Sequence, residues 1–170
     1  MEIERKYTVR SIPEDLSQYP CRRMEQAYLC TNPVVRVRKE DSEYHLTCKG
    51  SGMLVREETS VPISEEAYCH LREKADGRII SKKRYLIPLE PDFREGVPLT
   101  IELDVFDPPL APLVMAEVEF PSLEAAEAFL PPDWFAEEVT YREEYHNSHM
   151  ALGYADRDAG FFRQKGVHNE

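Results

Sequence analysis

Apolar and charged positions alternate along most of the chain up to Phe120, a period of two that predicts β-strands at 2–9, 23–30, 34–39, 43–49, 54–61, 79–87, 99–106 and 113–120. Turn chemistry separates them: Thr31-Asn32-Pro33, Glu40-Asp41-Ser42, Gly50-Ser51-Gly52, Pro91-Asp92 with Gly96, and Asp107-Pro108-Pro109. Two segments depart from the period. Ser64 reads as the N-cap of a helix running to about residue 74, with Glu65 and Glu66 in its first turn and Asp76-Gly77 closing it. Ser122 reads as the N-cap of a second helix that ends before Pro131-Pro132. A polar stretch, 137–145, then leads to a short helix at 148–154, and 156–170 reads as a weakly patterned tail. Trp134 and Phe135 read as anchors of the chain into an outer shell. The fold class is therefore mainly β with a few helices, one domain over 1–155 and no internal repeat.

Within these strands the charged residues share faces. Glu2, Glu4 and Lys6 form one row, Arg36 and Arg38 another, and Lys82 and Arg84 a third. Glu102 with Asp104, Glu117 with Glu119, and Arg56 with Glu58 repeat the pattern, and Lys49 sits in line with His45 and Thr47. Two arrangements produce such rows. An antiparallel sheet with one wet face turns them outward. An eight-stranded antiparallel closed barrel turns them inward, with the apolar faces packed under helices outside. The inward reading explains why the rows are nearly all Arg, Lys, Glu and Asp rather than the Ser, Thr and Gln of an ordinary solvated face. It makes a lumen of seven cations, Lys6, Arg36, Arg38, Lys49, Arg56, Lys82 and Arg84. Facing them are seven carboxylates: Glu2, Glu4, Glu58, Glu102, Asp104, Glu117 and Glu119. Such a lumen suits a polyanion carrying a divalent metal: cations meet phosphate oxygens, and carboxylates hold Mg²⁺ or Mn²⁺.

Charge changes the picture next. Thirty-two acidic against 21 basic residues give a net charge of -11, which argues against nucleic acid as a partner while leaving room for a small phosphate ligand in a basic pocket. Cys21, Cys30, Cys48 and Cys69 are too far apart for CxxC motifs and are expected as reduced, buried small residues in a cytoplasm. No apolar run reaches the length of a membrane span, and an acidic row starting at residue 2 leaves no room for a leader. Nothing speaks to oligomeric state.

Glu2-Ile3-Glu4-Arg5-Lys6, then Arg36-Val37-Arg38, Lys49, Lys82-Lys83-Arg84-Tyr85, Ile101-Glu102-Leu103-Asp104-Val105-Phe106 and Glu117-Val118-Glu119-Phe120, in that order, resemble the triphosphate tunnel metalloenzymes, the CYTH superfamily. The resemblance covers Glu2 to about Ala151. It implies an eight-stranded tunnel that binds a triphosphate with divalent metal and cleaves a phosphoanhydride bond. It further implies that Glu2, Glu4, Glu117 and Glu119 line the metal sites while Lys6, Arg36, Arg38, Lys49, Arg56, Lys82 and Arg84 grip phosphates. Compact bacterial members act on inorganic tripolyphosphate; others are thiamine triphosphatases, class IV adenylate cyclases or RNA triphosphatases. A binding module without turnover is the other class open to this chain. Glu119 or Glu58 would take the proton of the attacking water. This chain departs from the pattern at Ser60, where many relatives carry a carboxylate, and at Glu143 and Glu144, where a base is expected and Arg142 would have to supply it. His146 and His149 read as members of a surface loop or helix.

Overall fold

A computed structural model describes residues 1–13, 15–89 and 98–153. The turn at 90–97, the last residue of the expected third helix and the expected tail lie outside these residues. Among the described residues ten strands and three α-helices follow one another. The first strands are β1 (Glu2–Val9), β2 (Cys21–Thr31), β3 (Val34–Glu40), β4 (Glu43–Lys49), β5 (Val55–Arg56) and β6 (Glu58–Pro62). Then come α1 (Glu65–Arg72), β7 (Asp76–Pro88), β8 (Thr100–Phe106) and β9 (Val114–Glu119). Next are α2 (Leu123–Ala128), β10 (Phe135–Glu138) and α3 (Asn147–Ala151), the last preceded by a 3₁₀ turn, Glu143–Tyr145.

All pairings are antiparallel, and the order β1-β9-β8-β7-β2-β3-β4-β6 returns to β1 through β5. The strand expected at 54–61 is divided at Glu57. Its second part pairs with β4 and its first part with β1, through Glu2 opposite Arg56 and Ile3 opposite Val55. One strand thereby spans the seam of the barrel, so the eight expected staves are present and the sheet has almost no open edge. β10, missed in the sequence, covers the remainder of β1's outer edge, with Tyr7 opposite Glu138 and Val9 opposite Phe135.

The apolar faces point outward and are covered. Ile3, Tyr7, Ile101, Leu103, Ala116 and Val118 pack with Ala125, Ala126 and Phe135, so α2 and β10 roof one side. Trp134 packs against this cluster, the shell position expected for it. Ala27 and Val37 pack with Tyr68 under α1. Ser64 caps α1, its Oγ accepting from the Ala67 N–H at 3.1 Å, and Ser122 does the same for α2 from Ala125 at 3.1 Å. Ser64→Ala should lower stability by about 1 kcal/mol, read as a shift in thermal midpoint with unchanged activity.

A third cluster comes from the inward faces. Tyr28, Val34, Ile80, Phe106 and Met115 meet Val139, Tyr145, Met150 and Ala151, so the 3₁₀ turn and α3 pack into one end of the barrel. Gly77 makes room for this: its φ is +69°, and a Cβ there would lie 2.1 Å from the Ala151 carbonyl oxygen. Asp76-Gly77 thus opens β7 rather than closing α1. The cysteines correct another expectation. Cys21, Cys48 and Cys69 are exposed and Cys30 is half-buried, because each lies on an outward or peripheral position. Among the described residues no helix is long and apolar enough to cross a membrane.

Candidate active site

Cross-strand register brings the charged rows together inside the barrel. Glu4 lies opposite Glu119 and Lys6 opposite Glu117; Glu102 lies opposite Glu117 on the other side, and Arg84 opposite Asp104. The wet-sheet arrangement is thereby excluded, since Lys6, Arg36, Lys49, Lys82, Arg84, Asp104 and Glu117 are all buried. The barrel encloses a cavity of about 690 Å³ of empty space, partly open to solvent. Twelve of the fourteen expected residues line it: Glu2, Glu4, Lys6, Arg36, Arg38, Lys49, Arg56, Glu58, Arg84, Glu102, Glu117 and Glu119. Lys82 and Asp104 do not. They lie deeper, bonded to each other, with the Lys82 ammonium 5.2 Å from the Phe106 ring.

The lumen neutralises itself through two connected networks. In the first, Lys6 Nζ lies 2.5 Å from both Glu4 Oε1 and Glu117 Oε1. Arg84 donates to Asp104 Oδ1 and Oδ2, each at 2.7 Å, to Glu117 Oε2 at 2.6 Å, and to Glu102. In the second, Lys49 Nζ lies 2.8 Å from Glu2 and 2.8 Å from Glu58, and Arg56 approaches Glu2 at 3.6 Å. These contacts set the protonation states. Burial works against the Lys6 ammonium, but Glu117 and Glu4 more than offset it and hold its pKa above the ordinary lysine value. Burial likewise opposes ionised Glu117, yet Lys6, Arg84 and Lys82 carry its pKa well below the usual carboxylate range. Lys82 goes the other way: full burial, with Arg84 nearby, brings it down to about 8 despite Asp104.

Two groups are left over. Arg36 is buried with its Nε unpaired, and no carboxylate ion pair reaches its guanidinium among the described residues. Beside it Arg38 donates to Gln26 at 3.0 Å, and burial together with the charges of Arg36 and Arg84 lowers it to about 10. Across the cavity Glu119 has no cationic partner among the described residues. Burial and then the carboxylates of Glu2, Glu102, Glu4 and Glu58 raise its pKa. One wall therefore carries excess positive charge and another excess negative charge. Among the described residues no three acidic, histidine or cysteine groups stand as a ready metal cluster, because Lys6 and Lys49 lie between the carboxylates. The donor chemistry nonetheless fits a hard divalent cation: four carboxylates, Glu2, Glu102, Glu4 and Glu58, crowd about Glu119, and these donors are all oxygen.

Two sequence expectations need revision. His146 is buried and lines the cavity instead of lying on the surface, because the 3₁₀ turn folds it inward; Tyr28, Val34, Asn147 and Ser148 join it in the lining. Only the order of strands could have revealed this, as nothing local marks residues near 146 as lumenal. Arg142 does not replace the expected base inside the tunnel. It is half-exposed, bonded to Glu144 at 2.7 Å and stacked over Tyr145, outside the lining.

No protein-family model matches the chain. A curated protein, the inorganic triphosphatase of Nitrosomonas europaea, is 41% identical over 155 residues, covering 89% of this chain and 97% of that protein. The crystal structure of the inorganic triphosphatase NE1496 superposes with a TM-score of 0.65 at 37% identity, covering 89% of this chain and 95% of the other. A second structure of NE1496, described as a hypothetical protein, gives the same TM-score and identity over 98% of its own chain. With a charged eight-stave lumen, ordered motifs and these relatives in agreement, the chain belongs to the triphosphate tunnel metalloenzyme superfamily.

Proposed function

We propose that this protein hydrolyses inorganic tripolyphosphate with a divalent cation, Mg²⁺ or Mn²⁺, inside the barrel, through a single domain spanning 1–155 in the cytoplasm. The observation that carries the reading is the pair of left-over groups in one cavity: a buried Arg36 whose Nε has no partner among the described residues, and an over-crowded Glu119. A buried unpaired charge is costly and persists where a ligand compensates it. An anion chain and a metal together compensate both walls. The activity named for the 41% identical relative supports the same substrate.

In this reading Arg36, Arg38, Lys49, Arg56, Arg84 and Lys6 bind and orient phosphate oxygens, and Glu2, Glu4, Glu58, Glu102, Glu117 and Glu119 are the ligands available to the cation. The cation would polarise phosphoryl oxygens and offset charge as the bridging bond breaks. Catalysis is then positioning plus electrostatic stabilisation by preorganised cations, the usual economy of phosphoryl transfer. Lys82 and Asp104 act from below: Asp104 holds the Arg84 guanidinium, which also bonds Glu102 and Glu117, and Lys82 bonds Asp104 in turn. Lys6 and Lys49 must exchange carboxylate for phosphate oxygens as substrate enters, so neither lysine is left uncompensated. Among the described residues Tyr28, Val34 and His146 are the apolar or ring-bearing members of a lining otherwise charged or polar, which favours a bare polyphosphate. The seven lumenal cations and seven carboxylates cancel, so the full net charge of -11 lies outside, and a metal-complexed substrate meets less repulsion than a naked one.

Orthophosphate release from tripolyphosphate, pyrophosphate, ATP and thiamine triphosphate, each with Mg²⁺ or Mn²⁺, tests the proposal. Turnover highest with tripolyphosphate and abolished by chelation is expected. No release from any of the four in either metal would sink the enzyme reading and leave a binding module.

A further inference from the structure

Among the described residues the lumen holds many charged groups and one uncommitted base. The lysines and arginines of its lining face carboxylates or stand where phosphate is expected, and its carboxylates are either ion-paired or crowded where the cation is expected. His146 differs from both. It lines the same cavity, is only 9% exposed, and sits at the N-cap of α3. Its Nε2 lies 3.0 Å from the Thr140 carbonyl oxygen, which can only accept, so Nε2 carries the hydrogen and the tautomer is fixed. That carbonyl is itself held in place. Thr140 Oγ1 accepts from the Lys6 backbone N–H at 3.1 Å and donates to Glu138 Oε1 at 2.8 Å. Glu138 in turn is gripped by Arg5 through bonds of 2.8 and 2.6 Å.

The other ring nitrogen, Nδ1, has no hydrogen-bond partner among the described residues, and the ring faces the cavity. The charged groups whose fields reach it are Lys6 and Glu4 of β1 and Arg56 of β5. Burial first, then Lys6, keep its pKa below the ordinary histidine value against the opposing pull of the Thr140 bond, with Arg56 adding to the lowering and Glu4 weakly opposing it. The imidazole is therefore neutral near pH 7, with its lone pair on Nδ1, the nitrogen not engaged by Thr140.

We propose that His146 is the general base of the hydrolysis, an assignment that rests on the triphosphatase reading above. As the water oxygen bonds to the terminal phosphorus, its proton passes to His146 Nδ1. The bridging P–O bond breaks and its electron pair leaves with pyrophosphate. The imidazolium then returns the proton to solvent as orthophosphate departs. A carboxylate that holds a cation loses basicity, so Glu119 and Glu58 suit this step less well than a neutral ring outside the acidic group.

Wild type, His146→Gln and His146→Ala are compared for tripolyphosphate hydrolysis from pH 5 to 9 at saturating Mg²⁺, the last with and without added imidazole. The expected result is a fall in kcat of about 10²–10⁴-fold for both variants, the contribution typical of a positioned base. KM stays within about threefold, the acid limb of the wild-type profile disappears, and imidazole restores part of the rate of His146→Ala. A structural role predicts no rescue and no change in the limb. Full kcat in His146→Gln, or a loss confined to KM, overturns the assignment while leaving the activity intact. If His146→Gln fails to fold, judged by its thermal melt, His146→Asn takes its place with the same outcomes. A wild-type chain that releases no phosphate overturns the triphosphatase reading instead.

Discussion

Arg84→Ala should lower the stability of the ligand-free protein by about 3–5 kcal/mol, the cost of stranding buried charges whose partner is removed. For a chain of this size that is a fall of about 10 °C in thermal midpoint. The guanidinium is the hub of the lumen, bonded at once to Asp104, Glu102 and Glu117, and Asp104 is fully buried. Arg84→Lys should recover only part of the loss, because an ammonium cannot reproduce a planar fork that meets three carboxylates. The pH dependence separates charge from packing. Glu117 is held well below the usual carboxylate range, partly by Arg84, so the stability from its pairing is present above about pH 4 and is lost as pH falls towards its depressed pKa. In the variant the orphaned carboxylates protonate as acid is added. The deficit should therefore be largest at pH 7 and shrink towards pH 4 in parallel melts of the two proteins. An equal deficit at both pH values would assign it to lost packing.

How far such a hub could be read from the sequence depends on which forces fix it. Alternation along β1, β3, β8 and β9 is set locally by the pleat, so the rows containing Glu4, Arg36, Asp104 and Glu117 are legible from residue order alone. Their inward orientation is not, because a wet sheet satisfies the same alternation; only closure of the barrel decides it. Closure itself depends on Glu57, where a strand that reads as continuous changes partner from β4 to β1. Nothing local marks that residue, since both halves keep the same period. β10 escaped for a related reason: Phe135–Glu138 is four residues with one buried side chain, too short to show a period, and it is ordered by Tyr7 and Val9 across the chain. Lys82 and Asp104 read like their neighbours in the rows but sit below the lining, a matter of depth along the tunnel that strand parity does not encode.

Glu119→Gln should separate function from stability in opposite directions. Glu119 of β9 lies opposite Glu4 of β1 and has no cationic partner among the described residues, while Glu2, Glu102, Glu4 and Glu58 all raise its pKa after burial. A carboxylate with a raised folded-state pKa costs stability when ionised. That cost is absent below the ordinary carboxylate value, grows as pH rises through the window up to the raised pKa, and is constant above it. Glutamine removes it, so the ligand-free variant should melt at or slightly above the wild-type temperature at pH 7, and the two curves should converge in acid. The gain is small because the side chain is partly exposed and solvent screens its neighbours. Activity should move the other way. Tripolyphosphatase turnover should fall more than about 100-fold, beyond the 10–100-fold typical of groups that only support a metal ligand. Added Mg²⁺ or Mn²⁺ should raise the thermal midpoint of the wild type more than that of the variant, because a ligand that binds the folded state stabilises it in proportion to its affinity. Equal metal-induced shifts in the two proteins would remove Glu119 from the cation site, and a melting temperature well below wild type would mean that an unrecognised partner holds its carboxylate. On the proposed reading, repulsion among the acidic groups of the ligand-free lumen would be what draws a cation in, which would tie the cost they impose on the free protein to the chemistry of the loaded one.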